Sequence, residues 1–128
     1  MALNVEAALT KKQFSSPDEV RPFEQDMGQA AMVEIGGRMI GRGVYQPGWR
    51  WSEHVKPIAH TDSCEVLHLG MVMAGRMRVT MDDGKQIEIA EGDVFEIPPG
   101  HDAEVLGDTA CELIDFGDIT EYAKSSGG

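Results

Sequence analysis

The sequence predicts an all-β fold, a sandwich or closed barrel, and three observations carry that prediction. From Ala30 onward, short apolar segments are punctuated by glycine about every eight to twelve residues, the spacing of strands joined by tight turns. Within those segments the side chains alternate. Met77, Val79 and Met81 interleave with Arg76, Arg78 and Thr80, and Ile87 and Ile89 interleave with Gln86 and Glu88. A period of two belongs to antiparallel strands with one wet face. No helix-length period lies between the segments, which argues against βαβ units.

The elements follow in order. Residues 1–29 read as an N-terminal arm: Ser15-Ser16-Pro17-Asp18 is a turn or helix start, and Arg21-Pro22 breaks any long helix. The arm is expected to hold a short helix and an edge strand. Residues 30–128 form the body. Met32 to Ile35 runs to Gly36-Gly37, a dipeptide suited to a two-residue hairpin, and Met39 to Tyr45 returns from it. Pro47-Gly48 opens a segment from Trp49 to Val55, read as a strand, and Cys64 to Met73 is read as the next. Arg76 to Met81, Lys85 to Ile89, Asp93 to Ile97, His101 to Leu106 and Ala110 to Phe116 complete eight or nine strands. Asp118 is placed to cap a last helical turn.

Composition narrows the function. A chain of 128 residues is one domain able to bury a core without staples. Its 22 acidic against 11 basic residues leave a net charge of −11, which argues for solubility and against nucleic acid or anionic lipid as partner. The longest nearly apolar stretch, Leu67 to Gly75, is far short of the ~20 residues of a membrane helix. No secretory signal pattern opens the sequence, and two cysteines, Cys64 and Cys111, make neither a disulfide scaffold nor a paired zinc motif. A cytoplasmic protein with reduced thiols is the expectation. There is no G-x-S-x-G elbow, phosphate-cradling loop or dinucleotide fingerprint, which sets aside serine hydrolases, nucleotide-dependent enzymes and Rossmann oxidoreductases.

Gly92-Asp93-Val94-Phe95-Glu96-Ile97-Pro98-Pro99-Gly100 reproduces a glycine-aspartate start, five residues, then Pro-x-Gly. Upstream, Leu69-Gly70-Met71-Val72-Met73-Ala74-Gly75 is a hydrophobic strand closed by glycine. On these motifs the chain resembles the cupins over roughly residues 40–117. The resemblance implies a double-stranded β-helix, or jelly-roll, barrel with the short N-terminal arm appended. It also implies a metal site, but the ligand positions of metal-binding cupins fall on other residues here. His68 stands where their glutamate would be, Asp62 and Cys64 (or Thr61 and Ser63) stand for the paired histidines, and Ala103 for the later one.

The four histidines nevertheless lie within the two motif regions. The reading is that His54, His68 and His101 converge from three neighbouring strands on one divalent transition metal (Zn, Ni, Cu, Fe or Mn). A carboxylate from Glu53, Asp62, Glu65 or Asp102 would make it a two-His-one-carboxylate site instead. His60 is expected in solvent. Cys64 shares strand parity with His68, but four residues along a strand span ~13 Å, so without a bulge both cannot hold one metal, and Cys64 is read as a small buried hydrophobe, as is Cys111. Trp49 and Trp51 are either the aromatic wall of a ligand pocket or core packing. The eight methionines are core filler, and Asp82-Asp83-Gly84 is a hairpin turn.

The function expected is therefore binding of a divalent metal and a small organic ligand in the barrel, with oxygenase or isomerase chemistry among the activities the resemblance implies. The alternative is a non-catalytic binding or sensing module holding an apolar small molecule between Trp49 and Trp51. A homodimer is expected, since the arm needs a surface to dock on.

Overall fold

A computed structural model describes residues 8–124. Among the described residues nine strands form two antiparallel sheets: β1 (Glu19–Pro22), β2 (Gly28–Ile35), β3 (Arg38–Tyr45), β4 (His68–Ala74), β5 (Arg76–Met81), β6 (Gln86–Ala90), β7 (Val94–Ile97), β8 (His101–Val105) and β9 (Cys111–Asp115). Six strands lie in the order β1-β2-β3-β9-β4-β7 and three in the order β6-β5-β8. Alternation decides what each strand buries. In β4, His68, Gly70 and Val72 point inward while Leu69, Met71 and Met73 stay exposed, and β9 buries Cys111, Leu113 and Asp115. Side chains from both sheets meet in one apolar core with Trp49, Trp51 and Tyr45, a barrel of jelly-roll type.

The hairpin at Gly36-Gly37 forms as the dipeptide predicts, both glycines taking positive φ (60° and 75°), a combination that suits the twist of the flanking strands. Three expectations change. Trp49 to Val55 is not a strand: Trp51–His54 is a four-residue helix, α1, followed by α2 (Lys56–Ala59). So short a helix has no propensity of its own and forms because other groups satisfy its first turn. Asp102 Oδ1 accepts the Ser52 N–H at 3.0 Å and His54 Nδ1 accepts the Arg50 N–H at 3.0 Å. Nor is Cys64 to Met73 one strand. Cys64 makes an isolated bridge to His101, residues 65–67 belong to no strand, and β4 starts only at His68. Finally, the segment after Asp118 is a turn rather than a helix, held by Tyr122 N–H to Ile119 C=O at 3.0 Å.

Of the described residues in the segment expected to be an arm, 8–13 are exposed, Glu19–Phe23 pack on the sheet and core, and Gly28 and Gln29 already belong to β2. β1 pairs with β2 at the sheet edge, and the expected short helix is a single 3-10 turn at Glu24–Asp26. The buried Arg21 guanidinium donates to Ile119 C=O at 2.9 Å and Tyr122 C=O at 2.8 Å, so β1 anchors the C-terminal turn across the barrel mouth. Two glycines make this packing fit. A Cβ on Gly43 would stand 2.3 Å from the Tyr45 ring, which folds over it, and a Cβ on Gly70 would stand 1.8 Å from Ile114 C=O. Gly70 thus sets the close approach of β4 to β9. Replacing it (Gly70→Ala) is expected to destabilise the fold by about 1–3 kcal/mol. Urea unfolding checks this, with a lower midpoint and an unchanged slope; an unchanged midpoint would mean that the strands separate at no cost.

Candidate metal centre

Three short segments deliver the site. β9 carries its inward alternation one step past the apolar residues, from Cys111 and Leu113 to a buried Asp115. Asp115 Oδ1 accepts backbone N–H groups from Gly117 at 2.9 Å and Leu69 at 3.3 Å. Its Oδ2 accepts the Nδ1–H of His68, the first residue of β4, in a short hydrogen bond. His101 opens β8 after the Pro98-Pro99-Gly100 turn, where Gly100 takes a φ of 94°. That turn leaves the Pro98 carbonyl 2.8 Å from His101 Nδ1, so this nitrogen also carries its proton. In their neutral forms both rings therefore present a bare Nε2. A partner on Nδ1 that fixes ring and tautomer is what metal-binding imidazoles usually have.

Cys64 supplies the third group. Its N–H donates to His101 C=O at 2.7 Å and its C=O accepts Gly100 N–H at 2.7 Å, which locks it against the start of β8. Residues 65–67 belong to no strand, and across this break Cys64 Sγ comes to 3.6 Å from His68 Nε2. One donor atom from each of Cys64, His68 and His101 lies within 4.8 Å of the others, and all three residues are buried. Zinc bonds of about 2.3 Å to sulfur and 2.0–2.1 Å to nitrogen, at tetrahedral angles, would place those two donors ~3.5 Å apart. The residues fit a metal ion of that size.

The charges are coupled. Burial works against ionising Cys64, but hydrogen bonds with His101 and His68 outweigh it and hold the thiol down at about 7. Burial likewise works against charging His68, yet Asp115 and then Cys64 reverse this and push it up to about 9. Both shifts favour the charged form of the pair, a thiolate beside an imidazolium. Cys111, away from this group, is pushed up to about 11 by burial and Glu112.

The structure brings His68 and His101 together but leaves His54 out. His54 sits in α1 and its Nδ1 faces the Arg50 backbone, because the segment expected to be a strand coils into a helix. Cys64 takes the third place. The ~13 Å separation assumed a straight strand, and the break at residues 65–67 removes that assumption. None of the carboxylates singled out from the sequence stands in the group. Asp102 caps α1, Glu65 accepts from Ser63 Oγ at 3.0 Å, and Glu53 and Asp62 are exposed. His60 is exposed as expected, in a left-handed conformation that ends α2. Asp115 was not anticipated, although an aspartate on the apolar parity of a strand was there to be read.

Trp49 and Trp51 are core residues, each 2% exposed, and they also line the central cavity with His68, His101, Tyr45 and Tyr122. That cavity offers about 20 Å³ to the centre of a water-sized sphere, room for one water or one ion rather than an organic molecule. On the other side of Cys64 and Tyr122 lies an outer pocket of about 150 Å³, with Trp51, Val55 and Val66 in its walls and Glu65, Glu121 and Lys124 among its polar lining residues.

The sequence profile described as "Cupin domain" matches residues 42–117. No curated protein matches the chain. Among solved structures, one of unknown function from Rhizobium leguminosarum bv. viciae aligns with a TM-score of 0.58 at 20% identity, covering 84% of this chain and 95% of that one. An RmlC-like cupin from Shewanella frigidimarina aligns with a TM-score of 0.54 at 20% identity, covering 80% and 86%. The Cnp3 cupin domain of Schizosaccharomyces pombe aligns with a TM-score of 0.51 at 18% identity, covering 77% and 70%. Among the described residues, no helix is long and apolar enough to cross a membrane.

The two cysteines should titrate apart. In metal-free protein, ultraviolet thiolate absorbance is expected to rise in one step near pH 7, lost in Cys64→Ser, and in a second near 11 from Cys111. A single step near 11 would show that Cys64 has no charged partner.

Proposed function

We infer a function from one premise: this chain belongs to the cupin family. On that scaffold it binds one divalent transition metal through Cys64 Sγ, His68 Nε2 and His101 Nε2. The observation that carries this reading is the 3.6 Å approach of Cys64 Sγ to His68 Nε2 between two imidazoles whose Nδ1 atoms are already engaged. The thiolate also narrows the metal. Sulfur with imidazole suits zinc or copper, whereas manganese prefers oxygen ligands, so zinc is the first choice where copper is scarce. When bound, such a metal supplies Lewis-acid polarisation of a small ligand.

The chain's own groups do the rest. Asp115 orients His68 and takes up its positive charge, Pro98 C=O orients His101, and Tyr122 packs edge-on against His68 with ring centroids 4.8 Å apart. An organic ligand has too little space in the inner cavity, so its place is the outer pocket, which reaches the same cysteine. The alternative of an apolar molecule held between Trp49 and Trp51 has less support, because both indoles are packed in the core. The expected homodimer is part of the proposal. Leu69, Met71, Met73 and Val94 are exposed on the outer face of β4 and β7, an apolar patch of the kind that subunit contacts cover.

Untagged protein loaded with zinc and desalted is expected to retain one equivalent by elemental analysis. His68→Ala and Cys64→Ala should retain under a tenth of that, His54→Ala should match wild type, and Asp115→Asn should bind about 10–100-fold more weakly. Binding must displace the His68 proton between pH 7 and 9, and below 7 the Cys64 proton as well. Affinity should therefore fall about tenfold per unit as pH drops from 9 to 7, and more steeply below. Loss of zinc in His54→Ala with retention in Cys64→Ala would overturn the ligand set.

A further inference from the structure

We propose that Trp49 clamps the small molecule that completes the metal's coordination. One water-sized hydrogen-bond acceptor fills the cavity between the indole and the two imidazoles, receiving the Trp49 Nε1–H on one side and facing the metal on the other. The proposal rests on the metal reading above and deepens it.

Among the described residues, Trp49 Nε1 is the one buried side-chain nitrogen or oxygen without a hydrogen-bond partner. An indole nitrogen only donates, and a buried donor left unpaired is costly enough that folded proteins rarely keep one. Trp49 has no way to relieve that cost by moving. Its backbone N–H donates to Gln46 C=O and its C=O accepts the Val105 N–H, both at 2.9 Å, while its ring packs against Tyr45 at 4.6 Å and Phe23 at 5.7 Å between centroids. At 2% exposure, bulk water does not serve it either.

The cavity it lines, shared with His68, His101, Tyr45 and Tyr122, has the volume of a single water. Buried water needs about two to four polar partners, and apolar cavities stay dry. Met77, Phe95, Ile97, Ala103 and Leu113 are apolar walls, so the acceptor is held by the contiguous polar rings: Trp49 against Tyr45, Tyr45 bonded to Tyr122, and Tyr122 and His101 against His68. Size and polarity together select a one-atom acceptor, such as water or fluoride, over a chelating organic molecule. The donor gives that ligand an orientation, and it favours the anionic form of the ligand over the neutral one.

The test reads the indole directly. In nitrogen-15-labelled full-length protein, the indole resonance absent from Trp49→Phe belongs to Trp49. Zinc, once shown to bind at one equivalent, is expected to move this resonance and slow its exchange with solvent, and sodium fluoride should move it again. In cobalt-loaded protein, followed by its visible spectrum, Trp49→Phe should bind fluoride about tenfold more weakly than wild type with metal content unchanged. A resonance indifferent to fluoride, or equal fluoride affinity in the variant, would overturn the clamp and leave the metal site standing. Failure to hold zinc at all would overturn the metal reading first, and this one with it. Should Trp49→Phe not fold, Trp51→Phe assigns the two indole resonances by difference, and the Trp49 resonance must still respond to fluoride.

Discussion

A buried imidazole and a buried carboxylate meet where β4 begins and β9 ends, and the rest of the site depends on that contact. His68 and Asp115 are 7% and 4% exposed, so neither is served by bulk water. Removing one partner of such a pair costs about 3–5 kcal/mol, because the other is left charged in an apolar interior. The Asp115 carboxylate is satisfied three times over, by His68, Leu69 and Gly117. It fixes the ring, commits the Nδ1 proton and leaves Nε2 facing Cys64 and His101. The antiparallel pairing of β4 with β9, tight at Gly70, is what keeps the pair in register.

Around this contact the fold is arranged as supports. Arg21 reaches from the edge strand to two carbonyls of the C-terminal turn, and that turn carries Tyr122 onto the face of His68. Tyr122 and Tyr45 share a hydrogen bond at 3.2 Å, and Tyr45 lies over Gly43 and stacks with Phe23. A chain of rings thus runs from Phe23 to the candidate metal centre. The result, among the described residues, is an interior whose cavities beside the imidazoles and under Tyr45 are water-sized at most, while a larger pocket lies next to Cys64. This is a physical limit on the chemistry as well as on the packing: whatever enters the inner cavity has the dimensions of water.

Much of the fold was legible because strand alternation is a local signal. Arg76 to Met81 reads as β5 residue for residue, and Gly36-Gly37 announces its hairpin. The site was legible only in part, because it depends on where strands stop. Trp51 to His54 carries no helical period, and its four residues coil because Asp102, fifty positions away, caps them. That override removed His54 from the candidate ligands. Cys64 was excluded by strand arithmetic that holds only for a continuous strand, and nothing in Glu65-Val66-Leu67 marks the break. Asp115 left a trace in the sequence, as a charged residue on the buried parity of an apolar strand. A residue in that position requires a partner, and the partner is the histidine of the site.

The central claim is that a cysteine sulfur and two imidazoles share one metal. X-ray absorption at the zinc edge of the loaded protein reads those neighbours directly. The account predicts one sulfur at about 2.3 Å together with two imidazole nitrogens at about 2.0–2.1 Å and a further light atom completing the shell. A shell of nitrogen and oxygen alone, with no sulfur neighbour, would contradict it.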